Sequence, residues 1–208
     1  VNINPAFAYR LSDAVSVGAG VSVQKLQAEL SNFVPGAGVA KLKADDLGYG
    51  FNLGLTVQAS PATRFGLAYR SSIKYELAGS ATFSAADALN GSIKADLRVP
   101  ESVSLSVFSV IDPRWELMAD VTWMRWSRLR QLDVIRTSAP GAGSTLQSLP
   151  FNWDDVWRFS VGANYRVSER MKLRFGAAFD QTPTNDVDRT PRLPDQDRTW
   201  LAAGVQYR

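Results

Sequence analysis

Arginine and lysine side chains occupy polar positions in several alternating apolar stretches, and they have the clearest potential for chemistry in this sequence. Arg70 and Arg158 are examples, because a guanidinium offers two parallel donors that match a carboxylate. Similar stretches carry Glu116, Asp120 and Asp180, so these cations can equally pair with neighbouring acids. The residues alone leave both interpretations open.

Several kinds of chemistry are missing from the composition. The chain has no His and no Cys, which excludes His- and Cys-dependent nucleophiles, imidazole or thiolate zinc sites and disulfides. We therefore predict neither an enzyme nor a cofactor or metal site. The net charge is +3, from 23 basic and 20 acidic residues without a basic cluster, so no nucleic-acid partner is expected.

The elements that position these side chains are predicted to be β-strands. The stretch VSVGAGVSVQ, residues 15–24, alternates apolar and polar positions, the period of a strand with unlike faces. Similar alternation predicts about nine strands, and no apolar run approaches the roughly 18 residues of a spanning helix. The predicted strands lie near 1–11, 15–28, 47–58, 64–77, 95–110, 114–130, 155–167, 171–180 and 198–208.

Connector lengths favour a membrane barrel over a soluble β-sandwich. Short turns (SDA, SPAT, DPR, SER) alternate with long loops near 31–46, 78–94, 137–153 and 181–197. Outer-membrane barrels sort short turns and long loops to opposite rims, so we predict an all-β, antiparallel up-and-down transmembrane barrel. In this arrangement Phe65, Leu67, Tyr69, Ile73 and Tyr75 face lipid, while Lys74, Glu76 and Arg98 are among the charges that face inward. Two charges, Glu101 and Arg125, fall on the lipid face near its outer boundary.

Two groups of apolar residues are candidate binding surfaces. Leu26, Leu30, Phe33 and Val34 have helix-like spacing before Pro35, and they form either an exposed apolar binding surface or a loop packed on its neighbour. Trp126, together with Trp123 and Trp153, either lines a substrate path or belongs to an interfacial belt. Asp195 and Asp197, close to Arg192 and Arg198, are expected to tie a loop to the barrel rim.

Four stretches resemble the outer-membrane long-chain fatty acid transporters, the FadL family, which includes the toluene-type hydrocarbon importers. They are NPAFAYRLSDAVSVGAGVSVQKLQAEL, GYGFNLGLTVQASPATRFGLAYRSSIKYELAGS, LRVPESVSLSVFSVIDPRWELMADVTWMRWSRLRQL and PRLPDQDRTWLAAGVQY. The resemblance implies a fourteen-stranded barrel of which residues 1–208 form one partial domain, the fourth to twelfth strands. An N-terminal hatch, the first strands and the last strands would then be missing.

The same resemblance implies passive transport of a hydrophobic small molecule, with no cofactor, by a monomer embedded in outer-membrane lipid. The substrate would land on a groove between the segment with Leu26, Leu30, Phe33 and Val34 and a partner loop with Leu77, Phe83 and Leu89. It would then enter a lumen lined by Arg70, Trp126 and Arg158 and leave sideways. Asn32 stands where the resemblance places a basic residue of the family, so the substrate is either a neutral hydrocarbon or a fatty acid. A general diffusion porin and a soluble β-structured binding module are the alternatives.

Overall fold

The computed structural model describes residues 1–189 and 194–208, and its regular structure is almost entirely antiparallel β-strand. The strands in this part are β1 (Asn2–Ile3), β2 (Ala6–Arg10), β3 (Val15–Val34), β4 (Gly38–Gln58), β5 (Thr63–Arg70), β6 (Ile73–Phe83), β7 (Gly91–Val99), β8 (Ser102–Val110), β9 (Trp115–Met124), β10 (Gln131–Arg136), β11 (Thr145–Pro150), β12 (Val156–Arg166), β13 (Met171–Asp180) and β14 (Arg198–Tyr207). Short 3-10 helices form at Asp87–Leu89 and Trp126–Arg128. Among the described residues, no helix is long and apolar enough to cross a membrane. The predicted all-β fold is confirmed.

Strand β4 divides the sheet into two branches. Its residues 52–58 pair with β5, whereas its residues 40–45 pair with β6. From β5 the sheet continues through β8, β9, β12, β13 and β14, and from β6 it continues through β7, β10 and β11. The opposite edge of β4 pairs with β3, which also pairs with β1 and β2. Within the described ranges β2 and β14 do not pair, so this sheet is not closed.

We call these branches the wall and the distal sheet. The wall comprises β2, residues 15–24 of β3, residues 48–58 of β4, and β5, β8, β9, β12, β13 and β14. The distal sheet comprises residues 25–34 of β3, residues 38–47 of β4, and β6, β7, β10 and β11. The short turns predicted after β2, β4, β8 and β12 are confirmed, and all four lie at the edge of the wall that is away from the distal sheet.

The β3–β4 hairpin belongs to both branches and is much longer than predicted. Its pairing runs unbroken from Val15 opposite Val57 to Val34 opposite Gly38. Its strands have 20 and 21 residues, about twice what a tilted strand needs to cross hydrocarbon. The predicted loop at 31–46 is therefore wrong. Leu26, Leu30 and Val34 are spaced four residues apart. This spacing fits one face of a helix, and it equally fits one face of a strand, because residues an even number of positions apart point to the same side.

Two predicted strands are each broken into two. Residues 64–77 separate into β5 and β6 at Ser71, and residues 95–110 separate into β7 and β8 at Pro100. The alternation shifts by one residue at Ser71, because Tyr69 pairs with Leu53 of β4 while Ala81 of β6 pairs with Leu42, on the other face. Ile73 and Tyr75 are therefore buried, and their predicted position on the lipid face is wrong. Lys74, Glu76 and Arg98, predicted inward, lie on the opposite, exposed side of β6 and β7.

Other boundaries also move. The predicted strand 114–130 ends as β9 at Met124 and is followed by the 3-10 helix at Trp126–Arg128. The predicted loop at 137–153 contains β11, and the predicted loop at 78–94 contains the end of β6 and the start of β7. In each case the extra strand belongs to the distal sheet.

Buried apolar side chains cluster in the distal sheet rather than in the wall. The first cluster contains Ala37, Ala40, Leu42, Ile73, Tyr75, Leu77, Ala81, Phe83, Ile93, Ala95 and Val134. The second contains Leu129, Leu149 and Phe151. Leu30, Leu97 and Leu132 pack against both clusters, so the inner face of the distal sheet forms one continuous apolar body.

Candidate functional site

The outer face of the wall is an exposed apolar belt that runs across seven neighbouring strands. One row of paired residues consists of Val17, Leu55, Leu67, Leu105, Val121, Phe159 and Phe179. At the short-turn edge of the belt the rings of Trp115 and Tyr165 lie 4.7 Å apart. No second sheet covers this face in the described part of the chain, which contradicts the soluble β-sandwich alternative. An apolar surface of this extent matches contact with lipid.

The inner face of the wall is polar, and several of its cations are paired. Lys172 lies 2.8 Å from Glu116, which also accepts a hydrogen bond of 2.7 Å from Asn164. Arg198 lies 3.2 Å from Asp180. The interpretation that basic residues of this face pair with acids is confirmed for these two sites.

Arg70 and Arg158, the candidate lumen residues, lie exposed on this inner face. In the strand register Arg70 lies opposite Asn52 and Ser102, and Arg158 lies opposite Thr122 and Asp180. Neither guanidinium forms an ion pair with another described residue. Arg70 is the last residue of β5, directly before the break at Ser71, so it lies at the end of the wall that adjoins the distal sheet.

The two faces exchange polarity where the wall meets the distal sheet. Along the outer face of β4 the charged residues Lys41, Lys43 and Asp45 are followed by Leu47, Tyr49 and Phe51. Along its inner face the apolar residues Ala40, Leu42 and Ala44 are followed by Asp46, Gly48, Gly50 and Asn52. Strand β3 makes the same exchange between Val23 and Lys25. The outer face of the hairpin is therefore suited to apolar surroundings in the wall and to water in the distal sheet.

Ion pairs on the outer face of the distal sheet support this boundary. Lys25 lies 3.0 Å from Asp45, and Glu29 lies 2.7 Å from Lys41 and 3.2 Å from Lys43. Hydrogen bonds from these two lysines hold the pKa of Glu29 below its ordinary value. Such exposed pairs are typical of a protein surface in water.

The inner face of the distal sheet brings most of the candidate groove residues together. Leu77 and Phe83 are buried in the first cluster, and Leu26, Leu30 and Val34 of β3 pack against it half-buried. Phe33 does not join them, because it lies on the outer face of β3 and is 72% exposed. Leu89, in the 3-10 helix before β7, is also exposed and outside the cluster.

Trp126 lies in the second cluster rather than on the wall. Its ring lies edge-on to Trp153 with centroids 5.1 Å apart, and Trp153 lies 5.0 Å from Phe151. Leu30 packs against this cluster as well as the first, so the β3–β4 hairpin covers both. The members of these surroundings that the candidates drawn from the sequence omit include Ile73, Tyr75, Leu132 and Phe151. Their alternation is visible in the sequence, but the break at Ser71 and the strands β10 and β11 are not.

Glu101 and Arg125 do not lie in the apolar belt. Glu101 is buried at the break between β7 and β8, where its Oε1 contacts Arg125 at 3.2 Å and Arg128 at 2.9 Å. The backbone N–H of Arg125 also donates to the carbonyl of Glu101. The predicted lipid-facing position of these charges is corrected to an ion-paired joint at the rim of the wall.

The segment before β14 is tied to the wall by acidic side chains. Asp195 lies 3.7 Å from Arg198 and accepts a hydrogen bond from Thr182, and Asp197 accepts one from the backbone N–H of Thr182. The predicted tie to Arg198 is confirmed, while Arg192 lies outside the described residues. Over residues 1–189 and 194–208, no group of three or more His, Cys, Asp or Glu side chains could hold a metal.

Comparison with known proteins agrees with this architecture. The long-chain fatty acid transport protein of Salmonella typhi is 27% identical over all of this chain, which covers 55% of that protein. A crystal structure of a Pseudomonas aeruginosa FadL homologue superposes with a TM-score of 0.84 and 25% identity, over 99% of this chain and 55% of that one. The Pseudomonas putida toluene transporter TodX shares the fold, with a TM-score of 0.73 at 20% identity over 100% of this chain and 59% of that one. The chain thus spans about half the length of the curated relatives it matches.

A family model described as outer membrane protein transport protein (OMPP1/FadL/TodX) matches residues 1–208. This match confirms the resemblance drawn from the four sequence stretches and accounts for the exposed apolar belt as a surface of an outer-membrane protein. The chain belongs to the outer membrane protein transport protein family, OMPP1/FadL/TodX.

Proposed function

We propose that this chain forms part of an outer-membrane channel that takes up hydrophobic small molecules by passive diffusion. The observation that carries the proposal is the exchange of polarity along β3 and β4, from an apolar outer face to an apolar inner face. An apolar inner face beyond the lipid boundary is a surface on which a hydrophobic molecule can leave water. The names of the relatives indicate two substrate classes, long-chain fatty acids and toluene-like hydrocarbons.

Capture takes place on the inner face of the distal sheet. Leu26, Leu30 and Val34 of β3 form one side of this surface, Leu77 and Phe83 form the other, and Trp126 extends it. Burial of apolar surface stabilises the bound molecule by about 25 cal/mol per Å² removed from water. The step needs no covalent chemistry and no cofactor. Phe33 and Leu89 contribute at most to the rim, since both lie exposed outside the clusters.

Passage then follows the inner face of the wall, past Arg70 and Arg158, and ends in sideways release. Support for a sideways route comes from the edge of β4 that faces β5 and β6. Along this edge the pairing with β5 stops at Asn52 and the pairing with β6 begins at Asp45, so the residues between them belong to neither ladder. Within this interval Ser71 forms two hydrogen bonds with the backbone of Phe51. The outer belt contacts outer-membrane lipid throughout, and the monomeric state stays a prediction.

Two substitutions on the same strand test this proposal. Leu30→Asn places a polar amide in the capture surface, whereas Phe33→Asn makes the same change on the outer face. We expect uptake of radiolabelled fatty acid or toluene, by cells that depend on this protein, to fall at least tenfold for Leu30→Asn and less than twofold for Phe33→Asn. Thermal unfolding of both variants in detergent provides the folding control.

Equal losses of uptake in folded Leu30→Asn and Phe33→Asn proteins would refute capture on the inner face. Liposome swelling addresses the porin alternative: rapid entry of sugars through the purified wild-type protein would favour a water-filled diffusion pore. Resistance to swelling, together with uptake of hydrophobic substrate, supports the hydrophobic channel.

A further inference from the structure

Tyr75 is the largest fully buried side chain in the first cluster, with no exposed surface. It lies on β6 opposite Leu97, and its ring packs over Gly48 of β4. A Cβ at Gly48 would lie 2.5 Å from Cε1 of Tyr75, so only glycine allows the ring this close. The ring is therefore fixed at the level where the wall becomes the distal sheet.

The hydroxyl of Tyr75 has no hydrogen-bond partner among the described residues. A phenol buried without a partner loses its hydrogen bonds to water and gains nothing in return, which is why such groups are rare. Phenylalanine would fill the same space without that cost. An unpaired hydroxyl in a capture surface lined mainly by apolar side chains thus points to a partner that arrives with the ligand.

Charges near Tyr75 restrict what this partner can be. The carboxylate of Asp46 accepts a hydrogen bond of 2.7 Å from the backbone N–H of Glu76, the residue that follows Tyr75. Burial and this negative charge both raise the pKa of Tyr75, so the hydroxyl keeps its proton and remains a donor. A ligand carboxylate placed here would be repelled by Asp46.

No buried cation is available to offset that repulsion in the described part of the chain. Arg136 is the buried basic residue there, but its Nη1 already donates to the carbonyl of Leu89 at 2.7 Å. In the strand register Arg136 lies opposite Ile93 of β7, whereas Tyr75 lies opposite Leu97. These two positions are four residues apart, about 13 Å along the strand.

We infer that the Tyr75 hydroxyl is a specificity-determining contact that donates to a neutral oxygen on an otherwise apolar ligand, such as an alcohol, a phenol or a ketone. This inference rests on the proposed function, because the ligand reaches Tyr75 through the cluster against which the half-buried Leu26, Leu30 and Val34 of β3 pack. The site selects against ionised carboxylates of the same chain length, and it holds hydrocarbons without an oxygen more weakly.

Three ligands with the same alkyl chain test the inference: dodecane, 1-dodecanol and dodecanoate. Dissociation constants are measured from the tryptophan fluorescence of the full chain in lipid nanodiscs, at about pH 9, where the carboxylic acid is ionised. For the wild type we expect 1-dodecanol to bind about 2- to 10-fold more tightly than dodecane, the range of one neutral hydrogen bond. Dodecanoate should bind more weakly than 1-dodecanol.

Tyr75→Phe should bring the affinity for 1-dodecanol down to that for dodecane and leave dodecane unchanged. Tyr49→Phe, on the exposed outer face of β4, is the matched control and should alter none of the three affinities. A preference for 1-dodecanol that survives Tyr75→Phe would overturn the inference, as would tighter binding of dodecanoate. Failure of the wild type to bind any of the three ligands would instead overturn the proposed function and remove the inference with it.

Discussion

The wall and the distal sheet are built from the same alternating strands but place their apolar side chains on opposite faces. In the wall the apolar residues point outward, and Leu53, Leu105 and Phe159 are about half exposed. In the distal sheet they point inward, and Leu42, Leu77 and Ile93 are almost completely buried. The wall has no packed core of its own in the described residues, whereas the distal sheet has two adjoining clusters.

This contrast shows that the same alternating pattern can place its apolar face on the outside or on the inside of the protein. Which of the two occurs depends on the surroundings of that part of the strand. A single strand such as β4 satisfies both arrangements, because its alternation reverses sign between Asp45 and Leu47. On the wall side of this point the outer face carries the apolar residues that contact with lipid requires, and on the distal side it carries the charged residues typical of contact with water. The reversal also gives the height of the membrane boundary on the hairpin without reference to any other part of the chain.

The strongest change should come from placing a charge on the outer face of each region. Val161 is the middle outward residue of β12, with Trp157 and Tyr165 at either end, and it is 61% exposed. Val161→Lys should lower the free energy of unfolding by about 2–4 kcal/mol, the cost of a lysine at the bilayer midplane. Urea unfolding in lipid vesicles measures the change.

Gln27→Lys is the matched substitution on the outer face of the distal sheet, where residue 27 is exposed and pairs with Asp45. A lysine there faces water and an opposite charge, so stability should change by less than about 0.5 kcal/mol. Equal destabilisation by the two lysines would mean that both outer faces meet the same surroundings, and the comparison would fail.

The contrast between the regions also decides which parts of the fold the sequence predicts. Strands β12, β13 and β14 are predicted within one or two residues, since apolar-out alternation between short turns and charged ends fits neither a helix nor a loop. Residues 25–47, in contrast, have the pattern of a helix-like segment followed by a loop. Their inner-face leucines are four apart, and their outer face carries the charges and small residues typical of loops.

The sequence predicts the composition of the candidate site but not its geometry. Leu26, Leu30, Val34, Leu77 and Phe83 do meet, because each lies on the inner face of a strand that pairs through β4. Phe33 has the size and apolar character of a groove residue, but it lies an odd number of positions from Leu30 and so points outward.

Tyr75 shows why a pattern alone cannot give the geometry. The alternation of residues 64–77 continues through Ser71 in the sequence, so it predicts Tyr75 on the same face as Phe65 and Leu67. The structure shifts the alternation by one position there, because β5 ends at Arg70 and β6 begins at Ile73 on a different part of β4. Such a shift arises from pairing between distant residues, which the local sequence does not record.

A more moderate change is expected from adding a methyl group to glycines of β4 in the two regions. At Gly48 a Cβ would clash with Cγ2 of Ile73 and lie 2.5 Å from Cε1 of Tyr75. At Gly54, in the wall, nothing lies within 4 Å. Gly48→Ala should therefore cost about 1–3 kcal/mol from overpacking, and Gly54→Ala should be neutral or slightly stabilising.

Unfolding in urea, with both variants in the same lipid, distinguishes these two results. If Gly48→Ala were as harmless as Gly54→Ala, the close packing of β6 over β4 would be wrong, and with it the buried position of Tyr75. Hydrophobic-ligand affinity adds a second measurement, since displacement of Tyr75 should also weaken the preference for 1-dodecanol.

The weakest of these effects concerns pH and salt on the outer face of the distal sheet. Lys41 and Lys43 lower the pKa of Glu29, so the ionised carboxylate favours the folded state. Its contribution is fully present above the ordinary pKa of a glutamate and is lost as the pH falls through the lowered pKa of the folded protein. Because all three side chains are exposed, the contribution is small and is screened by salt.

Glu29→Gln removes this contribution, so the stability difference between wild type and variant should be constant near neutral pH. It should shrink toward zero as the solution is acidified past the folded-state pKa, and it should also shrink in high salt. Thermal unfolding of the two proteins across pH and salt measures both trends. Val161→Lys provides the contrast, because its cost arises from lipid and should change little with salt; a salt-sensitive cost at Val161 would place that residue in water and undo the assignment of the two faces.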